Sequence, residues 1–267
     1  MSTALACLRT AALALTVAVA LITSGCSSDA SWHPVTTEES QILATVRFNN
    51  YDAGTRDIST HVRVLGSELH LLGWYDFATH VGYASVEGAG FAAQAMLWTP
   101  ARIGIRPQMP DPSGFPEFPV PDPAHDGWEV RPLDPTASTL DTLLLSIATL
   151  GSDRPDNPLL LQQSGALFLG TGDLTTKAGL SEDADPSAEL SIFAPPPDDV
   201  ALGPEDERPT PESADARLWV DDRGLLHHAE LRIGAEWSAV DFGSGDGPDL
   251  HHLGDLLASH GEKAADE

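Results

Sequence analysis

The stretch Asp57–Phe77, DISTHVRVLGSELHLLGWYDF, has a period of two that decides the fold class. Ile58 and Val62 alternate with polar residues, and a second alternating run over 69–77 follows the gap at Gly66-Ser67. Successive side chains of a strand point to opposite faces, so this period predicts strands and not helices. The short gap between the two runs predicts an antiparallel hairpin.

The same pattern continues beyond this hairpin. Over 57–106 it predicts five strands in an antiparallel meander, and the run Leu69–Phe77 is apolar on both faces. The sheet should therefore be packed on one side and covered on the other. Further strands are expected at 166–169, 188–193, 217–221, 225–233 and 237–242. Because no βαβ alternation accompanies these strands, we predict an α+β fold with about ten antiparallel strands.

Three segments have helix signals. Thr36 and Glu39 have the spacing of a capping box at the start of a helix over about 36–51, which Gly54 can end. Asp134-Pro135 and Asn157-Pro158 each predict a helix start, with proline at the first helical position. The helix from Asp134 has an apolar stripe, and we expect the two helices to form a hairpin. The stripe consists of Leu140, Leu143, Leu144, Ile147 and Leu150.

Proline and acidic residues mark the loops and the end of the chain. Seven prolines fall within 107–123, so we predict an exposed loop over about 107–125. A second proline-rich, acidic loop is expected over about 194–213. We predict that 244–267 is an acidic flexible tail with a weak helix near its middle, and that 36–243 forms a single domain.

The first 25 residues have the features of a lipoprotein signal peptide. Arg9 precedes the apolar run 11–22, and small residues lead to Cys26. These small residues before a cysteine resemble a bacterial lipobox, which implies cleavage before Cys26 and its acylation with diacylglycerol. We expect residues 26–35 to be a tether and the chain to be lipid-anchored on the extracytoplasmic face of the cell membrane. An ordinary signal peptide with a coincidental cysteine is the alternative.

The charge of the chain excludes one large class of partners. Lys and Arg number 14 against 40 Asp and Glu, which gives a net charge of −26. Nucleic-acid binding needs clustered basic residues, so we expect no nucleic-acid partner. The same charge disfavours electrostatic attraction to anionic lipid, so the acyl chains on Cys26 must provide the membrane attachment.

The lipobox, the meander over 57–106, the apolar helices over 134–165 and the strands from Arg217 to Phe242 resemble one family. This pattern is similar to the actinobacterial lipoproteins typified by LppX and LprG, and more distantly to the LolA and LolB carriers. The resemblance covers most of 36–243. It implies a half-barrel sheet with helices packed on its concave face, and a cavity between them that holds acyl chains. The family has no catalytic residues.

No motif in the sequence indicates an enzyme. The chain lacks a P-loop, a GxSxG elbow and an HExxH pair, so we expect no catalysis and no cofactor. His61, His70 and His80 lie on separate predicted runs and could converge on zinc only if the fold brings them together. Partly buried, hydrogen-bonded histidines are the simpler interpretation, and we expect no metal.

The function expected from the sequence is the binding of an apolar ligand, a lipid or acyl chain, by a monomeric secreted lipoprotein. The candidate cavity residues are Trp74, Leu140, Leu143, Leu144, Ile147 and Leu160. A packed core uses the same residue types as an apolar cavity. A structural or partner-binding lipoprotein with a filled core therefore remains the alternative, and neither a protein partner nor a particular lipid is identified.

Overall fold

A computed structural model describes residues 32–122, 127–173, 189–196, 209–243 and 247–263. The helices are α1 (Thr37–Ala53), α2 (Thr139–Ala148), α3 (Pro158–Gln163) and α4 (Leu253–Lys263). The strands are β1 (His33–Pro34), β2 (Thr55–Val64), β3 (Ser67–Asp76), β4 (Val81–Gly88), β5 (Phe91–Trp98), β6 (Arg102–Pro107), β7 (Glu129–Pro132), β8 (Leu167–Asp173), β9 (Glu189–Ala194), β10 (Ala216–Val220), β11 (Leu226–Ile233) and β12 (Glu236–Phe242).

The described strands form one open antiparallel sheet. Its order is β1-β8-β9-β10-β11-β12-β2-β3-β4-β5-β6-β7, so β1 and β7 are its two edges. The predicted fold class is confirmed: the chain is α+β, and its sheet of 12 strands is of half-barrel type. The prediction of about ten strands omitted the edge strands, because β1 has two residues and β7 has four, too few to show an alternation.

Alternation along the strands divides the sheet into two faces. The inner face carries Ile58, Tyr75 and Trp98 and belongs to a large apolar cluster that includes residues of α1 and α2. The outer face carries Tyr83 and, among other residues, packs against α4. Gly82 lies between Tyr75 and Trp98 in the sheet register, and a Cβ there would lie 2.1 Å from the Trp98 ring. This glycine lets the Trp98 indole lie flat over β4.

Helix α1 has the ends that its sequence predicts. Thr36 Oγ1 accepts from the backbone N–H of Glu39 at 3.3 Å, and the Glu39 carboxylate accepts from the N–H of Thr36 at 2.8 Å. Gly54 ends the helix with a φ of 68°. The capping box satisfies two N–H groups that have no partner within the helix.

The predicted start of α2 is wrong by four residues. The Asp134 carboxylate accepts from Thr136 N–H at 2.9 Å and closes a turn, so it caps no helix. Ser138 is the N-cap instead, and α2 begins at Thr139. The start at Asn157 is confirmed, but α3 packs against α1, where Ala44 O accepts from Asp156 N–H at 2.8 Å. The predicted hairpin of two helices is replaced by this α1–α3 contact.

Both predicted terminal segments are partly integrated into the fold. His33 and Pro34 of the predicted tether pair with β8. In the predicted tail, α4 packs on β5, β6 and β7, and its Leu253 and Leu257 are buried together with the preceding Leu250. The weak helix predicted within this segment is therefore present, and these leucines dock it on the sheet.

The proline-rich segment 107–122 is a largely exposed loop, as predicted, but some of its residues contact the outer face of the sheet. Tyr83 donates its hydroxyl proton to Glu117 O at 2.8 Å, and Trp128 donates from Nε1 to Pro121 O at 3.2 Å. The ring of Phe115 lies 4.8 Å from that of Trp74. The segment therefore covers part of the outer face. Of the second predicted loop, 197–208 lies outside the described residues.

Candidate functional site

Helix α2 carries most of the residues that the sequence predicts to line a ligand cavity. Leu140, Leu143, Leu144 and Ile147 are all buried in the inner-face cluster. The helix packs against β2 and β11, which lie on either side of β12 in the middle of the sheet. The predicted stripe therefore faces the sheet and covers its central strands.

A buried carboxylate fixes the start of α2 to the edge strand β7. Arg131 donates to the Asp141 carboxylate from Nη1 at 2.5 Å and from Nη2 at 2.7 Å, and Asp134 N–H donates to it at 2.8 Å. Burial alone would raise the pKa of Asp141, but these donors outweigh burial and hold that pKa below its ordinary value. The charged form of Asp141 is thus the one that the fold stabilises.

The structure places the other two predicted cavity residues elsewhere. Trp74 lies on the outer face, where its ring contacts those of Phe115 and Phe118. Leu160 is on α3 with 56% of its surface exposed. Of the predicted cavity residues, only the α2 stripe is brought together on the inner face, where it packs with residues of the sheet and of α1.

Tyr75 and Trp98 are the sheet residues that stand out on the inner face. Both are fully buried, and their rings stack with centroids 5.8 Å apart. Among the described residues, neither the Tyr75 hydroxyl nor Trp98 Nε1 has a hydrogen-bond partner. Burial, reinforced by the negative charge of Asp76, raises the pKa of Tyr75 far above its ordinary value, so its hydroxyl stays a donor.

Two unpartnered donors in one apolar cluster need a physical account, because nine in ten or more buried polar groups have a partner. Helices α1 and α2 contribute to this cluster, and most backbone carbonyls of a helix accept within the helix. The α2 stripe presents only hydrocarbon to the sheet. The parity of Tyr75 with Leu69 and Leu71 indicates its face from sequence, but no sequence signal indicates that its hydroxyl lacks a partner.

The outer face has an open cleft of about 570 Å³ where β2, β3, β4 and β5 run side by side. His61 and His70 form one wall, and the centroids of their stacked rings are 4.5 Å apart. The side chains of Glu68, Glu87 and Phe91 also line the cleft. His61 Nδ1 lies 3.7 Å from Glu68 Oε1. Small residues of the β4–β5 hairpin form the remainder of the lining.

Two of the three histidines that could have formed a zinc site do meet. His61 and His70 are directly paired in the sheet register, whereas His80 lies in the β3–β4 turn, at the other end of β3. No group of three His, Cys, Asp or Glu side chains among the described residues is arranged to hold a metal ion. The three-histidine arrangement is therefore not formed.

Ser59 lies beside His70, and a histidine next to a serine can activate the serine hydroxyl as a nucleophile. Its hydroxyl is 3.1 Å from His70 Nε2. Ser59 has 4% of its surface exposed and does not line the cleft, so its oxygen does not face the space that a substrate could occupy. Burial, and to a lesser degree the neighbouring His61, lowers the pKa of His70. This pair fits a buried hydrogen bond between strands.

The predicted lipidation site cannot be placed in the fold, because Cys26 lies outside the described residues. Within the part of the chain that the structure describes, no helix has the length and apolar character needed to cross a membrane.

Comparison with known proteins gives a weak structural match, which carries no argument about fold. No protein-family model matches the chain, and no curated protein matches it. Among solved structures, the MucA/MucB complex of Pseudomonas aeruginosa matches with a TM-score of 0.30 and 14% identity. The match covers 81% of this chain and 60% of the other, so this chain spans less than two thirds of that protein. A similarity at this level carries no argument about function.

Proposed function

We propose that the chain is a secreted lipoprotein, anchored to the membrane through an acylated Cys26, that binds an apolar ligand without catalysing a reaction. The ligand is a lipid or an acyl chain, and it lies between α2 and the inner face of the sheet. The single observation that carries this proposal is the pair of unpartnered donors, Tyr75 Oη and Trp98 Nε1, inside an apolar cluster.

The chemistry of these donors fits one class of ligand. Leaving a buried donor without an acceptor costs about 1–3 kcal/mol. A lipid ester or carboxyl group supplies an acceptor oxygen, and its hydrocarbon chain occupies surroundings made of leucine, isoleucine and aromatic side chains. Water or a purely polar ligand would satisfy the donors but would leave the apolar surface in contact with a polar molecule.

A second function is favoured by a different observation. Leu143, Leu144 and Ile147 are fully buried, so α2 is closed on the sheet. A closed α2 is what a structural or partner-binding lipoprotein with a filled core requires. The ligand-binding account requires α2 to move away from the sheet when lipid enters.

Lipid extraction and mass spectrometry distinguish these functions. The chain is secreted with the substitution Cys26→Ala, which removes the covalent acyl chains, and its extract is compared with that of an unrelated protein from the same host. The proposal predicts lipid in a stoichiometric amount. Lipid no higher than in the unrelated protein contradicts the proposal and favours the filled core.

A variant pair tests where the lipid lies. Leu143→Trp and Leu144→Trp enlarge side chains between α2 and the sheet, and we expect them to displace the lipid. Leu159→Trp is the matched control, because Leu159 is exposed on α3 and the same enlargement leaves the inner face unchanged. Equal lipid loss in Leu159→Trp would place the ligand outside the α2 interface.

A further inference from the structure

The outer-face cleft is a second candidate site, on the opposite side of the sheet from the proposed lipid site. It is built from side chains of β2, β3, β4 and β5. Its volume of about 570 Å³ is within the range of small-molecule sites, roughly 300–1,000 Å³. Nothing in the proposed lipid binding uses these residues, so their arrangement needs a separate explanation.

The charge of the cleft favours a cation. Two carboxylates, Glu68 and Glu87, line it, and among its described lining residues none is Lys or Arg. Arg63 is close along β2, but its guanidinium pairs with Glu236 at 2.9 Å. Burial, which outweighs the opposing charge of Glu87, lowers the pKa of His70, so its charged form is disfavoured and offsets the carboxylates less.

The shape and lining favour an organic cation over a metal ion. Phe91 lines the cleft with 44% of its surface exposed, and an aromatic face attracts an ammonium or guanidinium group. The space is far larger than a bare ion requires. The described residues also place no three His, Cys, Asp or Glu side chains for metal coordination.

We propose that this cleft binds an organic cation, an ammonium or guanidinium group on an apolar stem. Glu68 and Glu87 pair with the charge, the stacked rings of His61 and His70 form the adjoining wall, and Phe91 packs on the stem. The same chemistry is found in a free polyamine and in the basic side chain of a peptide. The net charge of −26 raises the concentration of both near the protein.

The test is a calorimetric titration of the Cys26→Ala chain with spermidine at near-physiological salt. We expect saturable binding that weakens roughly tenfold or more in the double variant Glu68→Gln/Glu87→Gln, since both charge pairs are removed. Glu129→Gln/Glu189→Gln is the matched control: both residues are exposed, on β7 and β9, and the substitutions remove the same two charges away from the cleft. Equal weakening by this control shows diffuse attraction to the acidic surface and overturns the proposal.

Further arms identify the source of the cation and the role of the aromatic ring. A blocked tripeptide with a central lysine that binds more tightly than spermidine indicates a peptide partner, and the reverse order indicates a free polyamine. Phe91→Leu keeps apolar surface but removes the aromatic face, so we expect weaker binding of either probe. Absence of binding by both probes overturns the proposal, as does stoichiometric Zn²⁺ binding that excludes them.

Discussion

The two faces of the sheet differ in whether their buried Tyr and Trp side chains have hydrogen-bond acceptors among the described residues. On the outer face, Tyr83 donates to Glu117 O at 2.8 Å and Trp128 donates to Pro121 O at 3.2 Å. On the inner face, Tyr75 and Trp98 are buried without a partner among the described residues. The covers differ in the acceptors they offer: an irregular proline-rich segment has free carbonyls, whereas most carbonyls of a helix are used within the helix.

This difference separates buried donors that the chain itself satisfies from buried donors that no described residue satisfies. The donors of the outer face are satisfied by the chain itself, so that part of the outer face needs no ligand. Among the described residues the donors of the inner face have no acceptor, and the proposed ligand would supply one. A helical cover suits such a role, because a helix keeps its own hydrogen bonds when it moves away from the sheet.

The largest expected effect on the free energy of unfolding comes from a truncation beneath α2, which is compared with a truncation beneath α4. Leu144→Ala leaves a cavity beneath α2, and we expect the free energy of unfolding to fall by about 2–5 kcal/mol. Leu257→Ala weakens α4 on the outer face, where α4 contacts β5, β6 and β7 near one edge of the sheet. We expect Leu257→Ala to lower mainly the hydrogen-exchange protection of α4 amides. An equal global loss in both variants, measured by urea unfolding, contradicts this distinction.

The next effect concerns the anchor of α2. Asp141→Asn removes the charged acceptor of Arg131 and leaves an amide in a wholly buried position. We expect a loss of about 1.5–3 kcal/mol in urea unfolding at pH 7. Asp156→Asn is the control, because the Arg47–Asp156 pair is partly exposed and should contribute about 0–1 kcal/mol.

The contribution of Asp141 to stability depends on pH, and the direction of this dependence follows from the lowered pKa of Asp141. The folded-state pKa of Asp141 is lowered, so its contribution is fully present above the unfolded value of about 4. It is lost as the pH falls through the lower, folded-state pKa. The stability difference between the parent chain and Asp141→Asn should therefore be constant at neutral pH and shrink in acid. A difference that grows on acidification would contradict the assigned charge state.

The smallest effect is expected on α3. Leu160→Ala removes a side chain that is more than half exposed, so we expect a change in unfolding free energy within about 0.5 kcal/mol. The lipid content of the secreted chain should also be unchanged. Loss of lipid in Leu160→Ala would show that Leu160 belongs to the ligand site, as the sequence predicts.

The sheet could be predicted from sequence because alternation is a local property. The alternation from Ile58 to Phe77 shows which side chains share a face of the sheet, and the capping box at Thr36 and Glu39 shows where α1 begins. The start of α2 could not be found in the same way. Asp134 and Ser138 are both good N-cap residues, and only the position of Arg131 and the sheet decides between them.

The candidate sites were less predictable, since they depend on contacts between distant segments. The stripe of α2 is visible in the sequence, but Trp74 and Tyr75 are neighbours that point to opposite faces with different covers. Whether the Tyr75 hydroxyl meets an acceptor depends on which segment covers it. The pairing of His61 with His70 depends on the register of β2 and β3, which the hairpin at Gly66 sets.

The most direct test of the account removes one oxygen atom from each face. Tyr75→Phe and Tyr83→Phe are compared by urea unfolding of protein that has been refolded from urea and so freed of lipid. We predict that Tyr83→Phe loses about 1 kcal/mol with its hydrogen bond, and that Tyr75→Phe loses nothing or gains stability. An equal loss in Tyr75→Phe would show that its hydroxyl has a partner within the chain, and would contradict the claim that the inner face keeps a donor for a ligand.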